Sequence, residues 1–380
     1  VTQPSGSTEL AIGQVGLGGI TVVHRDGYRI YDQPVVAGFD PSAEARDRFL
    51  ADTPGASFYE SLDDLIVDPL VGVIDLATPH HRSTRLPLIE QIAAAGKPIL
   101  VQKPLAYSYA EAVEIVEVFE KYGTVGMVNQ NMAFTPGSLR LLDAIMTDRA
   151  IGEPAFAQVT VQYVFDTDYH PWFGKDDRWW TGALTVHHFG LLQLLFGPPE
   201  TVYAVTGHDP GQPGVTSDGF GHLLMRYPSG MTVAVTSTGT YYGTDPVPHG
   251  NEKIWIQGAD GIADWRPEGG LDLSHRGEAG EFSRERITWN PKEKWFPHAF
   301  GLTMAHFRAA LADGAPPLCS VSDNLYVMAV IEAAYQSSEN NRVVPLAEIM
   351  GERYDPDYGT GWSHGYSDWV SATLSGVGRG

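Results

Sequence analysis

Cysteine is almost absent from this sequence: Cys319 is the only one among 380 residues. One thiol cannot close an intramolecular disulfide, so the fold must rest on its hydrophobic cores, and a reducing, cytoplasmic setting is expected. Basic residues are scarce as well. Lys and Arg number 25 against 46 Asp and Glu, a formal net charge of −21. Nucleic acid and anionic membrane are excluded as partners, because the electrostatic term that drives phosphate binding has the wrong sign. A local basic pocket for a cofactor phosphate stays compatible with that balance. No apolar run is long enough to span a bilayer. The stretch Val1 to Leu10 is polar without an apolar core, so it predicts no signal peptide, and the missing initiator Met suggests trimming upstream. Charged residues make up only 19%, which argues against long disordered tracts.

What is present is apolar and aromatic. Hydrophobic residues reach 43%, with 17 Tyr, 15 Phe and 9 Trp. Such a supply fills cores and also lines clefts that receive sugar rings. The length suggests two domains more readily than one.

The first third alternates short apolar runs with helical spacing. Ala11–Gly16, Val35–Asp40, Gly72–Ala77, Pro98–Val101 and Val125–Val128 read as buried strands. Ser42–Ala51, Leu86–Ala95 and Tyr109–Tyr122 read as helices between them. That alternation predicts βαβ units on a parallel sheet. From about Ala155 to Ala263 the pattern changes to longer segments rich in Val, Thr and Tyr: Ala155–Phe165, Thr201–Gly207, Gly221–Tyr227, Met231–Ser237 and Lys253–Gln257. Turn signals such as Pro228-Ser229-Gly230 and Gly258-Ala259-Asp260-Gly261 separate them, which predicts an antiparallel or mixed sheet. Helices follow at Phe300–Asp313 and Ser322–Glu339. The expected fold is therefore an α/β Rossmann domain, residues 1–134, followed by an α+β domain with an open, mostly antiparallel or mixed sheet, residues 135–380. The tail after Tyr354 carries no assignable pattern.

Gly16-x-Gly18 ends a predicted strand and opens a helix, the setting a dinucleotide fingerprint requires. The first glycine permits the turn, the second lets the backbone approach a pyrophosphate, and helix N–H groups face the anion. Thr21 stands where a third small residue is usual. Asp40 closes the second strand, where a carboxylate accepts hydrogen bonds from ribose hydroxyls and repels a 2′-phosphate. NAD is therefore expected over NADP. An ordinary glycine turn and an exposed acid opening Asp40-Pro41 are the bland alternatives.

These motifs, with Leu76-Ala77-Thr78-Pro79, the run Ala95-Gly96-Lys97-Pro98 through Gln102-Lys103-Pro104-Leu105-Ala106, Val186-His187-His188-Phe189 and Leu191–Gly197, resemble the glucose–fructose oxidoreductase / inositol dehydrogenase (Gfo/Idh/MocA) family. The segment Phe307–Pro345 resembles its closing helices. The resemblance covers most of the chain. It implies a pyridine nucleotide, substrates that are sugars, polyols or their derivatives, and an open sheet that mediates a homodimer or homotetramer. It implies Lys103 as the catalytic lysine and His187 as the catalytic histidine. The cofactor site is expected to comprise Gly16, Gly18, Gly19, Ile20, Asp40, Thr78, Pro79, His81, Gln102 and Lys103.

Three positions depart from the family pattern. Its Glu before the lysine is Gln102, and its helix acids fall at Ala183 and Gly190. The trio of lysine, aspartate and histidine is thereby reduced to Lys103 and His187. Oxidising a secondary alcohol needs a base for the hydroxyl proton, with a pKa near the working pH. His187 meets that requirement unperturbed; Lys103 meets it if burial destabilises its ammonium. His188 and Tyr163 are candidates to orient the His187 ring. The stretch Tyr163, Tyr169, His170, Trp172, Arg178, Trp179 and Trp180 offers aromatic faces and a guanidinium for a sugar, and equally a satellite core under a loop. Lys103 as a surface lysine and the histidines as packing residues are further alternatives. The pairs His80-His81 and His187-His188 are not expected to hold a metal, since adjacent helical side chains diverge. Three functions stay open: a sugar or polyol dehydrogenase; a glycosidase-like enzyme that recycles its NAD through transient oxidation and elimination; and a non-catalytic nucleotide-binding sensor.

Overall fold

A computed structural model of the chain describes residues 10–164, 175, 178–212, 214–240, 249, 251–277, 280–358 and 366–376. Its contacts divide the chain into two units, one of residues up to Phe134 with Phe296–Leu325, the other of Thr135–Trp295 with the residues from Tyr326 onward.

The first unit opens with β1 (Ala11–Val15), α1 (Gly19–Ile30), β2 (Val35–Phe39), α2 (Ala43–Asp52), β3 (Ser57–Tyr59) and α3 (Leu62–Val67). It continues through β4 (Val71–Leu76), α4 (Arg82–Ala94), β5 (Ile99–Gln102), α5 (Tyr109–Tyr122) and β6 (Gly126–Asn129). The strands form one six-stranded sheet in the order β3-β2-β1-β4-β5-β6. Every pairing in it is parallel. The order reverses between β1 and β4, and the crevice outside the carboxyl ends of those two strands is where such sheets bind ligands. Strands β1, β5 and β6 are buried at every residue, which is why they read as continuous apolar runs.

One charged group interrupts that apolar sheet. Asp75, in β4, is wholly buried. Its Oδ2 accepts hydrogen bonds from Gln14 Nε2 at 2.8 Å and Tyr28 OH at 2.9 Å, with His24 Nδ1 also at 2.9 Å. Burial opposes its charge, yet His24, Gln14 and Tyr28 outweigh burial and hold its carboxyl below the usual range. The His24 ring stacks on Phe300 at 4.5 Å.

In the second unit come α6 (Pro136–Leu142), β7 (Pro154–Gln162), α7 (Val186–Phe196), β8 (Thr201–Gly207), β9 (Phe220–Arg226) and β10 (Thr232–Thr238). After them come β11 (Glu252–Gly258), β12 (Gly261–Arg266), β13 (Gly270–Arg276) and β14 (Phe282–Ile287). The chain then forms α8 (His298–Asp313), which belongs to the first unit, α9 (Asp323–Asn340), β15 (Val344–Pro345), α10 (Leu346–Met350) and α11 (Tyr366–Gly376). Nine strands make an open sheet in the order β14-β13-β12-β11-β7-β10-β9-β8-β15. Only β7 and β10 pair in parallel; the other neighbours are antiparallel, so the sheet is mixed. Alternate residues of β9 and β10 are buried and exposed, the signature of a sheet with one covered face. Helix α7 is buried from Val186 to Leu195. No helix among the described residues is long and apolar enough to cross a membrane.

Candidate active-site residues

At the carboxyl end of β1 the chain bends at Gly16, with φ of +84°. A Cβ there would also lie 2.7 Å from the Ala77 carbonyl oxygen, so the bend and the close approach of β1 to the end of β4 both demand glycine. Beyond it a Cβ on Gly18 or Gly19 would meet nothing within 4 Å. The backbone beside the bend is bare, and Ile20 is half-buried just inside the helix. Thr21 is fully buried where a smaller residue is usual, and its hydroxyl donates to the Gly18 carbonyl at 2.7 Å, which satisfies it.

The ends of the helices separate into two kinds. Ser42, Ser61 and Ser108 cap α2, α3 and α5 with their side chains. Helix α1 starts at Gly18 without a side-chain cap and without an acid in its first turn. Its first N–H groups are therefore left for an anion, and bare glycines at an uncapped helix start fit a dinucleotide pyrophosphate. Asp40 stands next to this bend. Its Oδ2 accepts from the Leu17 N–H at 2.7 Å and its Oδ1 from the Ser42 N–H at 2.8 Å. Both oxygens keep lone pairs for ribose hydroxyls.

Past β4 and β5, one buried cation ties two loops together. Arg85, on α4, is 1% exposed. Its guanidinium donates to the carbonyls of Thr78 (2.5 Å), Gln102 (2.8 Å), Leu105 (3.1 Å) and Pro104. Burial lowers its pKa to about 9. The loop it holds carries Lys103, whose peptide bond to Pro104 is cis. Gln102 Oε1 accepts from the Lys103 backbone N–H at 3.2 Å. Burial of the Lys103 ammonium brings its pKa down to about 8. His80 is near enough to feel these charges. Burial first, then Arg85, His81 and Lys103, hold it at about 3, so it is neutral at neutral pH. His81, at the start of α4, and His80 stack at 5.1 Å, with Tyr107 facing both. Gly16, Asp40, Thr78, Pro79, His81, Gln102 and Lys103 thus all lie on the segments that leave the carboxyl ends of β1, β2, β4 and β5.

Lys103 belongs to the first unit and His187 to the second. In the second unit the turn before α7 is held by an acid. Asp218 Oδ1 accepts from the backbone N–H groups of Trp179 (2.8 Å) and Trp180 (3.2 Å), and its Oδ2 from that of Thr181 (2.8 Å). Tyr335 OH donates to the same carboxylate. This anchors the entry to α7, where His187 and His188 are 7% and 2% exposed. His187 meets the edge of Trp295 at 5.2 Å. His188 Nε2 lies 3.5 Å from Glu252 Oε2.

The aromatic stretch divides. Tyr163 is 36% exposed and stacks on His249 at 5.5 Å. Trp179 and Trp180, expected to offer faces to a substrate, have no exposed surface. Trp180 Nε1 donates to Ser237 Oγ at 2.6 Å, on the covered face of the sheet. A ring with no accessible face cannot receive a sugar, so both indoles are core residues, the alternative the sequence also allowed. Arg178 forms a bidentate pair with Glu332 and lies over the Tyr335 ring. Tyr169, His170 and Trp172 lie outside the described residues. Among the described residues no group of three or more His, Cys, Asp or Glu is placed to hold a metal ion.

Comparison with known proteins agrees with this geometry. An oxidoreductase-family model for an NAD-binding Rossmann fold matches residues 10–130, and the same family's C-terminal alpha/beta domain matches residues 147–346. The chain belongs to the Gfo/Idh/MocA family of oxidoreductases. A D-apiose dehydrogenase of Paraburkholderia graminis is 24% identical over 89% of this chain and 90% of its own length. A myo-inositol 2-dehydrogenase of Thermotoga maritima is 24% identical over 90% of this chain and 100% of its own. Among solved structures, an Agrobacterium radiobacter oxidoreductase in complex with NAD+, L-tartaric acid and magnesium superposes with a TM-score of 0.79 at 23% identity, covering 90% of this chain and 100% of that one. The family membership makes this chain an oxidoreductase that takes a nicotinamide dinucleotide in its Rossmann domain.

Arg85, Tyr107, Asp218, His249, Glu252 and Trp295 escaped the sequence reading, and His80 entered it only as a metal-ligand candidate. Arg85 alone had a signal, a lone arginine within the otherwise apolar face of a helix. Arg85→Met leaves three buried carbonyls and one half-buried carbonyl without their donor. The expected loss is about 3 kcal/mol or more of stability in urea unfolding, with Arg85→Lys recovering only part; an unchanged midpoint would show that the clamp carries no weight.

Proposed function

We propose that this chain is a dehydrogenase of sugars or polyols, oxidising a secondary hydroxyl with NAD+. The observation that carries the reading is the half-buried Lys103, whose desolvated amine, with a pKa of about 8, comes within reach of neutral pH on the loop after β5. The relatives named apiose and inositol dehydrogenases supply the substrate class, and so does a levoglucosan dehydrogenase solved with NADH and L-sorbose (TM-score 0.75, 21% identity, 89% of this chain and 98% of that one).

The bare glycines and the uncapped start of α1 would hold the pyrophosphate, and Asp40 the adenosine ribose. The dinucleotide, when bound, supplies the hydride acceptor. Lys103 orients the substrate oxygen and takes its proton. With a pKa near 8, roughly a tenth of it is amine at pH 7 and most of it by pH 9. His187, buried on α7, is the second proton-handling group that the family resemblance implies. Arg85 keeps the lysine loop in place before substrate arrives, which spares the reaction that ordering. The exposed face of the nine-stranded sheet, with Tyr203, Val205 and Leu224, is the surface a homodimer or homotetramer would cover. Sedimentation velocity giving a monomer at micromolar concentration would remove that part.

The proposal is tested with a panel of aldoses and polyols at fixed NAD+. Because burial lowers the lysine pKa, kcat/KM should climb with pH through about 8 and then level. Lys103→Ala should cost about 10² to 10⁴ in kcat. Full NADH production by that variant contradicts the assignment, and substrate conversion without net NADH favours the recycling enzyme instead. Asp40→Ala should raise the NADP+ to NAD+ ratio of kcat/KM by about tenfold or more, since it removes a carboxylate that repels the 2′-phosphate; an unchanged ratio means that Asp40 does not select the cofactor.

A further inference from the structure

Two imidazoles of the second unit meet one buried carboxylate. Glu252 opens β11 and is 4% exposed. Its Oε1 lies 3.1 Å from Nδ1 of His249, and its Oε2 lies 3.5 Å from Nε2 of His188. The two residues of the closer pair are also joined through the backbone, with the Glu252 N–H donating to the His249 carbonyl at 3.1 Å. An isolated carboxylate at that depth would give up its charge. Here an imidazole stands at each oxygen.

The contacts run on from there. The His249 ring lies parallel to Tyr163 on one side and against Trp295, 4.7 Å away, on the other. Trp295 in turn meets His187 edge-on at 5.2 Å. A file of side chains, Glu252, His249, Trp295 and His187, thus leads from a sheet strand to helix α7. The same helix and its approach have Ala183 and Gly190 where the family pattern has acids.

We propose that Glu252 is the positioning carboxylate of this imidazole cluster, doing from a strand what acids at 183 and 190 would do from the helix. The proposal rests on the reading of His187 as a proton-handling group. With Nδ1–H of His249 donating to Glu252, the neutral ring carries its proton on Nδ1, and Nε2 is the atom that gains or loses one. The ring is thereby fixed between Tyr163 and Trp295, and Trp295 fixes the surface on which His187 rests. The titratable groups around His249 are Glu252 on β11, Glu268 between β12 and β13, Tyr163 after β7, and His187 and His188 on α7. Burial opposes a charge on His249, but Glu252 and then Glu268 outweigh it and raise its pKa above the ordinary histidine value. Burial likewise opposes the charge on Glu252, and the two histidines bring its pKa down to about 2.

The experiment is a pH titration of the full chain labelled with 15N-histidine, read by long-range 1H–15N correlation, for wild type and Glu252→Gln. His249→Asn assigns the resonance. The His249 midpoint is expected to fall by about one pH unit in Glu252→Gln, a tenfold loss of proton affinity, and its Nδ1–H signature to give way to a mixture of tautomers. In parallel, kcat/KM for oxidation of myo-inositol and D-xylose should keep its Lys103 limb near 8, while the second limb below it, where the imidazole cluster titrates, moves to lower pH in the variant, with the loss in kcat exceeding the change in KM. An unchanged His249 midpoint and tautomer overturn the proposal. So does a shifted midpoint with an unchanged pH–rate profile, since Glu252 would then be a packing group only. If wild type oxidises neither probe, the dehydrogenase reading fails for those substrates while the spectra still decide whether Glu252 sets the imidazole. Should Glu252→Gln not fold, the wild-type titration decides: a His249 midpoint at or below 6.5 overturns the pairing.

Discussion

The chemistry assigned to this protein depends on a half-buried lysine whose ammonium is poorly solvated. An ammonium in bulk solvent holds its proton too tightly to act near neutral pH, and burial is the cheapest way to loosen it. The Arg85 clamp makes that burial durable. One guanidinium, itself wholly inside, binds carbonyls from the loop after β4 and the loop after β5. The segments leaving these two paired strands are thereby tied together beyond the last strand pair, Leu76 with Val101. Gln102 beside the lysine is neutral, whereas a glutamate there would add a negative charge that favours the ammonium.

The second unit solves the same problem with anions. Asp218 gathers three backbone N–H groups at the turn into α7, and Glu252 gathers two imidazoles beneath it. Both are buried acids, and both reach residues far from them in sequence, Asp218 the Trp179–Thr181 backbone and Glu252 the His188 ring at 3.5 Å, while Glu252 also pairs locally with His249. On α7 it is His188 that a charge from the sheet approaches, with Glu252 Oε2 at 3.5 Å from its Nε2.

How much of this could be read from the sequence depended on range. The parallel sheet was legible because its strands are buried on both faces and appear as unbroken apolar runs. Strand β3 was not, being one exposed and two half-buried residues. The last long strand of the open sheet, β14, escaped for a related reason. β14, with five of its six residues exposed, lies at the sheet edge and carries no burial pattern. The glycine bend, Asp40, Lys103 and His187 were legible because their roles are written within short motifs. Arg85, Glu252 and Trp295 were not, since each works through partners brought in by the tertiary fold. Trp179 and Trp180 show the opposite error. A cluster of aromatics reads the same whether it lines a cleft or fills a core, and only the bond from Trp180 to Ser237 with full burial decides it.

The claim beneath all of these is that the Lys103 amine titrates far below an ordinary lysine. Direct 15N detection of lysine Nζ signals as a function of pH, with Lys103→Arg used to assign the resonance, reads it without substrate or cofactor. The account predicts a midpoint near 8. A midpoint near 10.5, the value of a lysine in water, would contradict it.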